Sequence, residues 1–194
     1  MKKDTNEQPP IYNYNNPVKQ FSTIKTARPS VLIPVFPGTN CEYDTTRIFE
    51  RAGARAEVFV IRNLSASAIA ESVEAFTDRI KNAQIIMIPG GFSGGDEPEG
   101  SGKFITAFFR NPKIMDAVHN LLQNRDGLML GICNGFQALI KLGLVPFGRI
   151  IEMDHDSPTL TFNTIARHQS MLVTTRVAST KSPWLYGCQV GDLH

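Results

Sequence analysis

The stretch LMLGICNGFQALIKLG, residues 128–143, decides the fold class. Its first five residues form a short apolar run that predicts a buried strand, and the pattern from Asn134 to Leu142 predicts a helix. Between strand and helix the chain must turn sharply at GICNG, residues 131–135. A buried strand that leads directly into a helix predicts one unit of a parallel α/β sheet.

The same alternation precedes this stretch. The apolar runs VLIPVF (31–36), AEVFVI (56–61) and QIIMI (84–88) predict three more strands. Helical patterns lie at 42–52, 65–82, 103–110 and 112–124. Strands that are apolar throughout indicate a sheet covered on both faces. We therefore expect a doubly wound, mostly parallel sheet.

The two ends of the chain differ from this pattern. Residues 1–29 are polar and aperiodic, which predicts a flexible leader or interdomain linker, followed by a domain over 30–194. TLTFNTI (159–165) and SMLVTTRVA (170–178) alternate and are rich in β-branched residues. These two segments predict antiparallel strands in the C-terminal part.

Composition excludes several functional classes. The net charge is +2 and basic residues are interleaved with acidic ones, so we expect no nucleic-acid partner. The longest apolar runs are too short to cross a bilayer, and no secretory signal is present. The three cysteines lie far apart without a Cys-x-x-Cys pair. This pattern favours a cytoplasmic protein without a disulfide framework or metal site.

Cys133 is the predicted nucleophile. It lies at the strand–helix junction between Gly131 and Gly135, where a sharp turn leaves no room for side chains. The start of the following helix favours the thiolate. Most free cysteines are structural. We interpret Cys41 and Cys188 as structural, because neither lies at a strand–helix junction between two glycines.

A second motif supplies candidate oxyanion donors. IPGGFSGGDEPEGSGKF (88–104) follows a predicted strand, and a Gly-Gly turn can point backbone amides at a developing negative charge. We predict that the Gly91 and Asn134 N–H groups form the oxyanion hole. A phosphate-binding loop fits poorly, since Glu97 and Phe104 occupy positions that its pattern reserves for glycine and a hydroxyl residue.

The histidines do not reveal a general base. His119 lies in a helical pattern, and Asp154-His155-Asp156 is typical of a solvated loop. His168 could edge a substrate pocket, and His194 is the last residue. No His-x-Glu sequence is present.

Together the motifs resemble a known family. PVFPGTNCEYDT (34–45), residues 88–104, GICNGFQALIKLGL (131–144), SPWL (182–185) and VGD (190–192) are similar to the class I glutamine amidotransferase domain of phosphoribosylformylglycinamidine synthase. The sequences of these motifs are most similar to the long single-chain form of that synthase, and the resemblance covers residues 31–194. The resemblance implies a flavodoxin-like fold.

The resemblance also implies a reaction and partners. The cysteine attacks the side-chain amide of glutamine, releases ammonia and leaves a thioester, which water hydrolyses to glutamate. A synthetase domain or subunit uses the ammonia, with ATP and Mg²⁺, to amidate formylglycinamide ribonucleotide. No cofactor is expected in the domain itself. By the same resemblance, the residues that contact glutamine or line its pocket are Gln137, Phe92, Asn163 and Thr164.

One departure from the family pattern leaves alternatives open. In the family a His-Gly-Glu-Gly stretch follows the segment that resembles VGDLH (190–194), where this sequence ends. We therefore expect a C-terminally incomplete domain with negligible glutamine turnover by itself. One alternative is an inactive remnant that only binds a synthetase or glutamine. Another is a different elbow-cysteine protein, similar to DJ-1/PfpI-like hydrolases or chaperones.

Overall fold

The computed structural model describes residues 11–14, 25–93, 102–161, 163–167 and 169–194. Contacts within the chain define two compact units. The first comprises residues 24–167, and the second comprises residues 1–23 with 168–194. No helix in the described ranges has both the length and the apolar character needed to cross a membrane.

The first unit is built on a four-stranded parallel sheet. Its strands are β1 (Ser30–Val35), β2 (Arg55–Val60), β3 (Ile85–Ile88) and β4 (Leu128–Gly131), in the order β2-β1-β3-β4. The four predicted strands are confirmed to within a residue at each end. The chain reverses its direction of winding between β1 and β3. In open α/β sheets, ligands bind at the carboxyl ends of strands beside such a switch point.

Helices alternate with these strands, as predicted. They are α1 (Glu42–Arg51), α2 (Ala66–Asn82), α3 (Lys103–Phe109), α4 (Pro112–Gln123), α5 (Asn134–Lys141) and the short α6 (Leu144–Phe147). The start of α2 is determined locally, because the Ser65 side chain accepts a hydrogen bond from the Ala68 N–H at 3.1 Å. Asn111 caps α4 in the same way, with Pro112 in the first turn.

The sheet carries an apolar cluster on each face, of very different size. The larger one packs α2 to α5 on the sheet around Phe76, whose ring meets Phe108 and Phe109 at steep angles. The smaller one contains Val31 and Ile33. The expectation of complete cover on both faces is wrong for β2, since Val58 and Val60 are 39% and 61% exposed. Among the described residues this strand pairs with β1 alone and lies at the sheet edge, where part of its surface stays open.

The predicted antiparallel strands are also wrong for the described residues. In the first unit, 163–167 form a turn, and described residues of 159–161 have no strand pairing. In the second unit, regular pairing is confined to an isolated antiparallel bridge between Arg176 and Leu193. A segment with alternating β-branched residues forms a strand only where a partner strand is available. Leu172, for example, is fully exposed.

The second unit also contains a 3-10 helix, Pro183–Leu185, preceded by the capping residue Ser182. Residues 11–14 reach the same unit, where the Tyr14 N–H donates to the Ala178 carbonyl at 3.0 Å. Most of the predicted leader, 1–10 and 15–24, lies outside the described residues, and its role as a linker stays a prediction.

Candidate active site at the strand–helix elbow

Cys133 occupies the turn between β4 and α5 in a conformation that few residues adopt. Its φ is 54° and its ψ is −108°, and the residue is exposed at the N-terminus of α5. Holding a non-glycine residue in such a region costs about 1–3 kcal/mol, so the surrounding structure must impose it. Strain of this kind at an exposed thiol is typical of a nucleophile elbow.

The glycines on either side of Cys133 are required by close packing. A Cβ on Gly135 would lie 2.1 Å from the Ile88 carbonyl oxygen, at the end of β3. A Cβ on Gly131 would lie 2.6 Å from the Gly135 carbonyl. No side chain fits at such distances, so α5 can start immediately behind the sheet only with glycine at both positions. The steric reason predicted from the sequence is confirmed.

The loop after β3 lies directly beside the cysteine. A Cβ on Gly90 would lie 3.3 Å from the Cβ of Cys133 and 4.0 Å from its Sγ. The loop is held by backbone bonds to the loop after β1: the Phe92 N–H donates to Gly38 at 2.8 Å, and the Asn40 N–H donates to Gly90 at 2.9 Å. The two loops at the switch point therefore form one framework next to the thiol.

Gly91 is the predicted oxyanion donor in this framework. Its φ is 132°, and a Cβ there would lie 2.5 Å from the Gly38 carbonyl oxygen. Within the described ranges, no acceptor is bonded to the Gly91 N–H. A fixed donor without an internal acceptor suits the stabilisation of a developing oxyanion. The role of Gly91 stays a prediction.

Asn134, the second predicted donor, is anchored through its side chain. Its Oδ1 accepts a hydrogen bond from the Ser93 hydroxyl at 2.5 Å, and the Ser93 N–H lies 3.4 Å from the same oxygen. Ser93 and Asn134 are 2% and 1% exposed. On its other side, the Asn134 Nδ2 donates to the Oε1 of Gln137 at 3.4 Å. Three polar side chains thus connect the loop after β3 with the first turn of α5.

The remaining predicted pocket residues lie in two different loops. Phe92 follows the Gly-Gly turn and is 57% exposed, so its ring stands at the open side of this loop. Asn163 and Thr164 lie in an exposed turn, where the Asn163 Nδ2 donates to the Arg167 carbonyl at 3.1 Å. Neither makes a hydrogen bond to the elbow within the described part of the chain. Their contact with glutamine stays a prediction.

Each histidine has a different environment. The Nε2 of His119 accepts the Ile150 N–H at 2.9 Å, so this ring has a structural role within α4, in agreement with its predicted position in a helix. His155 is exposed in a loop, 3.2 Å from Asp156. His168 lies outside the described residues, and His194 belongs to the second unit.

A cleft in the first unit lies away from the cysteine. Its volume is about 440 Å³, and it is bounded by α3, the end of α5 and residues 153–159. Cys133 does not line it. Cys133 itself is exposed in the described part of the chain.

Ser93 is the site residue that sequence reasoning missed. The serine is part of the quoted motif IPGGFSGGD, but a small polar residue in a glycine-rich loop gives no signal of its partner. That partner lies 41 residues further along the chain.

Comparison with known proteins now identifies the family. The model of the CobB/CobQ-like glutamine amidotransferase domain matches residues 28–193. The chain belongs to this glutamine amidotransferase family. The match includes the elbow, the loop after β3 and the turn at 163–167. The α/β fold of this amidotransferase domain agrees with that assignment.

Individual relatives are similar over part of their length. A phosphoribosylformylglycinamidine synthase subunit PurQ from Dehalococcoides mccartyi is 37% identical over 126 residues, which are 65% of this chain and 43% of that protein. The same subunit from Pyrococcus furiosus is 30% identical over 161 residues, 83% of this chain and 58% of that protein. The amidotransferase chain therefore spans about half the length of these relatives.

A solved structure, described as PurLQS from Thermotoga maritima, is 28% identical to the chain. The alignment covers 60% of this chain and 45% of that one, with a TM-score of 0.41.

Proposed function

We propose that this chain provides the glutaminase activity of a phosphoribosylformylglycinamidine synthase. The observation that carries the proposal is the strained elbow: an exposed cysteine at φ 54°, between two glycines that packing requires. Membership of a glutamine amidotransferase family supports the substrate class. The similarity to PurQ subunits supports a role in purine biosynthesis. We place this activity in the cytoplasm.

In the proposed reaction, the Cys133 thiolate attacks the side-chain carboxamide carbon of glutamine. The carbonyl oxygen becomes negatively charged in a tetrahedral intermediate. The C–N bond then breaks as the nitrogen takes up the proton that the general base removed from the thiol, and the nitrogen leaves as ammonia. A γ-glutamyl thioester remains on Sγ, and water hydrolyses it to glutamate and the regenerated thiol. The sequence of steps is nucleophilic catalysis of the kind that splits one difficult step into two easier ones.

The oxyanion donors are the backbone N–H groups of Gly91 and Asn134. Removal of one such donor from an oxyanion hole costs about 100- to 1000-fold in rate, so the position of both amides matters. The backbone bonds between the loops after β1 and β3 hold Gly91, and the Ser93 hydrogen bond holds Asn134. Gln137, Phe92, Asn163 and Thr164 are proposed to contact glutamine.

The general base and the ammonia acceptor are proposed to come from outside these residues. The sequence contains no His-x-Glu pair, and loss of a triad member removes several orders of magnitude of rate. We therefore expect negligible glutamine turnover by the 194-residue polypeptide alone. A synthetase partner would use ATP and Mg²⁺ to activate formylglycinamide ribonucleotide and accept the ammonia.

Alkylation by a diazoketone or chloroketone analogue of glutamine tests the proposal. Mass spectrometry of the treated chain should locate the adduct on Cys133, and excess glutamine should slow its formation. Cys41 is a matched internal control, because it is also exposed and lies at the start of a helix. A small neutral alkylating agent should modify both residues, and glutamine should slow its reaction with Cys133 but not with Cys41.

Two results would contradict this function. Equal modification of Cys41 and Cys133 by the analogue, without protection by glutamine, indicates an elbow cysteine with no glutamine site. Selective modification of Cys133 that glutamine cannot compete with indicates a pocket for another substrate. The variant C133S should lose the adduct and keep its melting temperature within a few degrees, because the substitution preserves the backbone and most of the volume.

A further inference from the structure

The second unit brings three unlike metal-binding side chains together. A donor atom from each of Cys188, Asp192 and His194 lies within 4.8 Å of the other two. We propose that these residues form a binding site for a divalent transition-metal ion, for which Zn²⁺ is the best fit. The site is separate in sequence and in unit from the elbow at Cys133. It does not depend on the proposed glutaminase function.

The three donor atoms lie close enough to converge on one ion, since all of them are within 4.8 Å of one another. No hydrogen bond or ion pair joins the three groups to one another in the described residues. In a tetrahedral site with metal–ligand bonds of about 2.0–2.3 Å, ligand atoms lie about 3.3–3.8 Å apart. The upper limit of 4.8 Å exceeds the end of this range by about 1 Å. A small change in side-chain torsion would close the site around an ion.

The backbone places two of the ligands on one face. Thr175 and His194 exchange both backbone hydrogen bonds, at 2.8 and 2.9 Å, and the Val177 N–H donates to the Asp192 carbonyl at 2.9 Å. The segment from Asp192 to His194 is therefore extended and paired. Alternate residues of an extended segment point to the same side. Asp192 and His194 consequently share a face, while Leu193 is directed away and is 66% exposed.

A tight turn brings the third ligand to the same place. The Gln189 N–H donates to the Asp192 Oδ2 at 2.6 Å, and the Asp192 N–H donates to the Gln189 carbonyl at 3.1 Å. These reciprocal bonds fold the chain back next to Cys188, whose own N–H donates to Leu185 at 3.1 Å. A carboxylate has about four acceptor positions, so the bond to Gln189 orients Asp192 and leaves its other oxygen for a metal.

The chemistry of the donors selects the ion. Thiolate, imidazole and carboxylate are the three ligand types of protein zinc sites, whereas Ca²⁺ and Mg²⁺ take oxygen ligands. The thiolate and carboxylate together neutralise a divalent charge. Arg176 opposes binding, since its Nη2 lies 3.6 Å from the position of a Cβ on Gly191 in the same turn. Within the described ranges no fourth side chain joins the set, so water would complete a tetrahedral shell.

Sequence analysis predicted no metal site. Cys188, Asp192 and His194 have the spacing Cys-x3-Asp-x-His, which lacks the paired cysteines of common zinc patterns. The turn at 189–192 and the bridge at Arg176–Leu193 bring the ligands together, and neither has a strong sequence signal.

Cobalt titration of the full 194-residue chain tests the proposal. With thiols kept reduced, Co²⁺ should bind at one equivalent and produce a near-ultraviolet thiolate-to-cobalt absorption band. Zn²⁺ should displace it and abolish the band. The C188S variant should lose the band completely. D192N, which can still accept the Gln189 hydrogen bond, and H194A should each weaken Co²⁺ binding by about 10-fold or more.

Matched controls separate this site from general thiol chemistry. C41S and C133S should retain both the band and its one-to-one end point. Circular dichroism of each variant without metal checks that the fold is unchanged. The proposal is overturned by a band that survives in C188S, by unchanged affinity in both D192N and H194A, or by the absence of saturable binding in the folded parent chain.

Discussion

The Ser93 hydroxyl donates a 2.5 Å hydrogen bond to the Oδ1 of Asn134, and both residues are almost completely buried. This bond joins the loop after β3 to the first residue of α5. The two proposed oxyanion donors, at Gly91 and Asn134, belong to these same two segments. Their relative position therefore depends on a buried polar contact that takes no part in the chemistry itself.

Removal of this hydroxyl should affect both stability and reactivity. In S93A the buried Asn134 oxygen loses its 2.5 Å bond to the hydroxyl, and the backbone N–H of residue 93 lies 3.4 Å from it, which is long for a hydrogen bond. We expect the free energy of unfolding to fall by about 1–3 kcal/mol. Misplacement of Asn134 should slow alkylation of Cys133 by the glutamine analogue by roughly 10- to 100-fold. Denaturant unfolding and the alkylation rate measure the two effects.

S67A is the matched control for that experiment. The Ser67 hydroxyl is exposed and lies 2.9 Å from another exposed hydroxyl, that of Ser65. Its loss should change the free energy of unfolding by less than about 0.5 kcal/mol. Equal stability and equal alkylation rates in S93A and S67A would show that the hydrogen bond between Ser93 and Asn134 does not position Asn134.

Alanine at Gly135 should destabilise the chain despite its high helix propensity. In an ordinary helix interior, Gly→Ala stabilises by about 1 kcal/mol. Here the new Cβ would lie 2.1 Å from the Ile88 carbonyl oxygen, so α5 must move away from the sheet. We expect G135A to lower the melting temperature markedly and to suppress modification of Cys133.

Gly148 provides the comparison for G135A. It has φ 72° and no atom within 4 Å of the position of a Cβ, so G148A introduces backbone strain without a clash. That strain should cost about 1–2 kcal/mol. Thermal unfolding of both variants measures the difference, and a G135A chain as stable as G148A would contradict the packing at the elbow.

At position 133, glycine should give a more stable chain than alanine. Cys133 has φ 54°, a region that glycine enters readily and alanine does not. C133G should therefore exceed C133A in free energy of unfolding by about 1 kcal/mol, which reverses the order expected at an unstrained position. Chemical denaturation of the two variants measures this difference. A more stable C133A would mean that the elbow carries no strain in solution.

The loop at 154–157 should contribute a small acid-dependent stability. A hydrogen bond from the Ser157 hydroxyl, at 2.7 Å, is the main cause that holds the pKa of Asp154 below its usual value of 3.8. Because the folded pKa is lowered, this contribution is present above pH 3.8 and is lost as the pH falls through the folded pKa. An NMR titration of S157A should show the pKa of Asp154 rise towards 3.8. An unchanged pKa would exclude the hydrogen bond as its cause.

The parallel α/β core could be predicted because its signals are local. Short apolar runs such as 31–36 and 84–88, each followed by a helical pattern, are sufficient for strands and helices within a residue or so. The turn at Cys133 could also be predicted, because the glycines two residues before and after it are the residues that such close packing requires. The partial exposure of β2 could not be predicted, because an apolar strand has the same residue pattern at the edge of a sheet as at its centre.

The residue pattern was sufficient to predict the fold class, the place of Cys133 at a strand–helix turn and the need for glycine on both sides of it. Only the folded chain shows which distant residues meet. Ser93 and Asn134 are 41 positions apart, and their contact arises because β3 and β4 are neighbours whose carboxyl ends meet at one edge. Cys188, Asp192 and His194 converge only through a turn and an isolated bridge. Contacts of this kind depend on backbone pairing between segments, and residue patterns along one segment do not encode their partner.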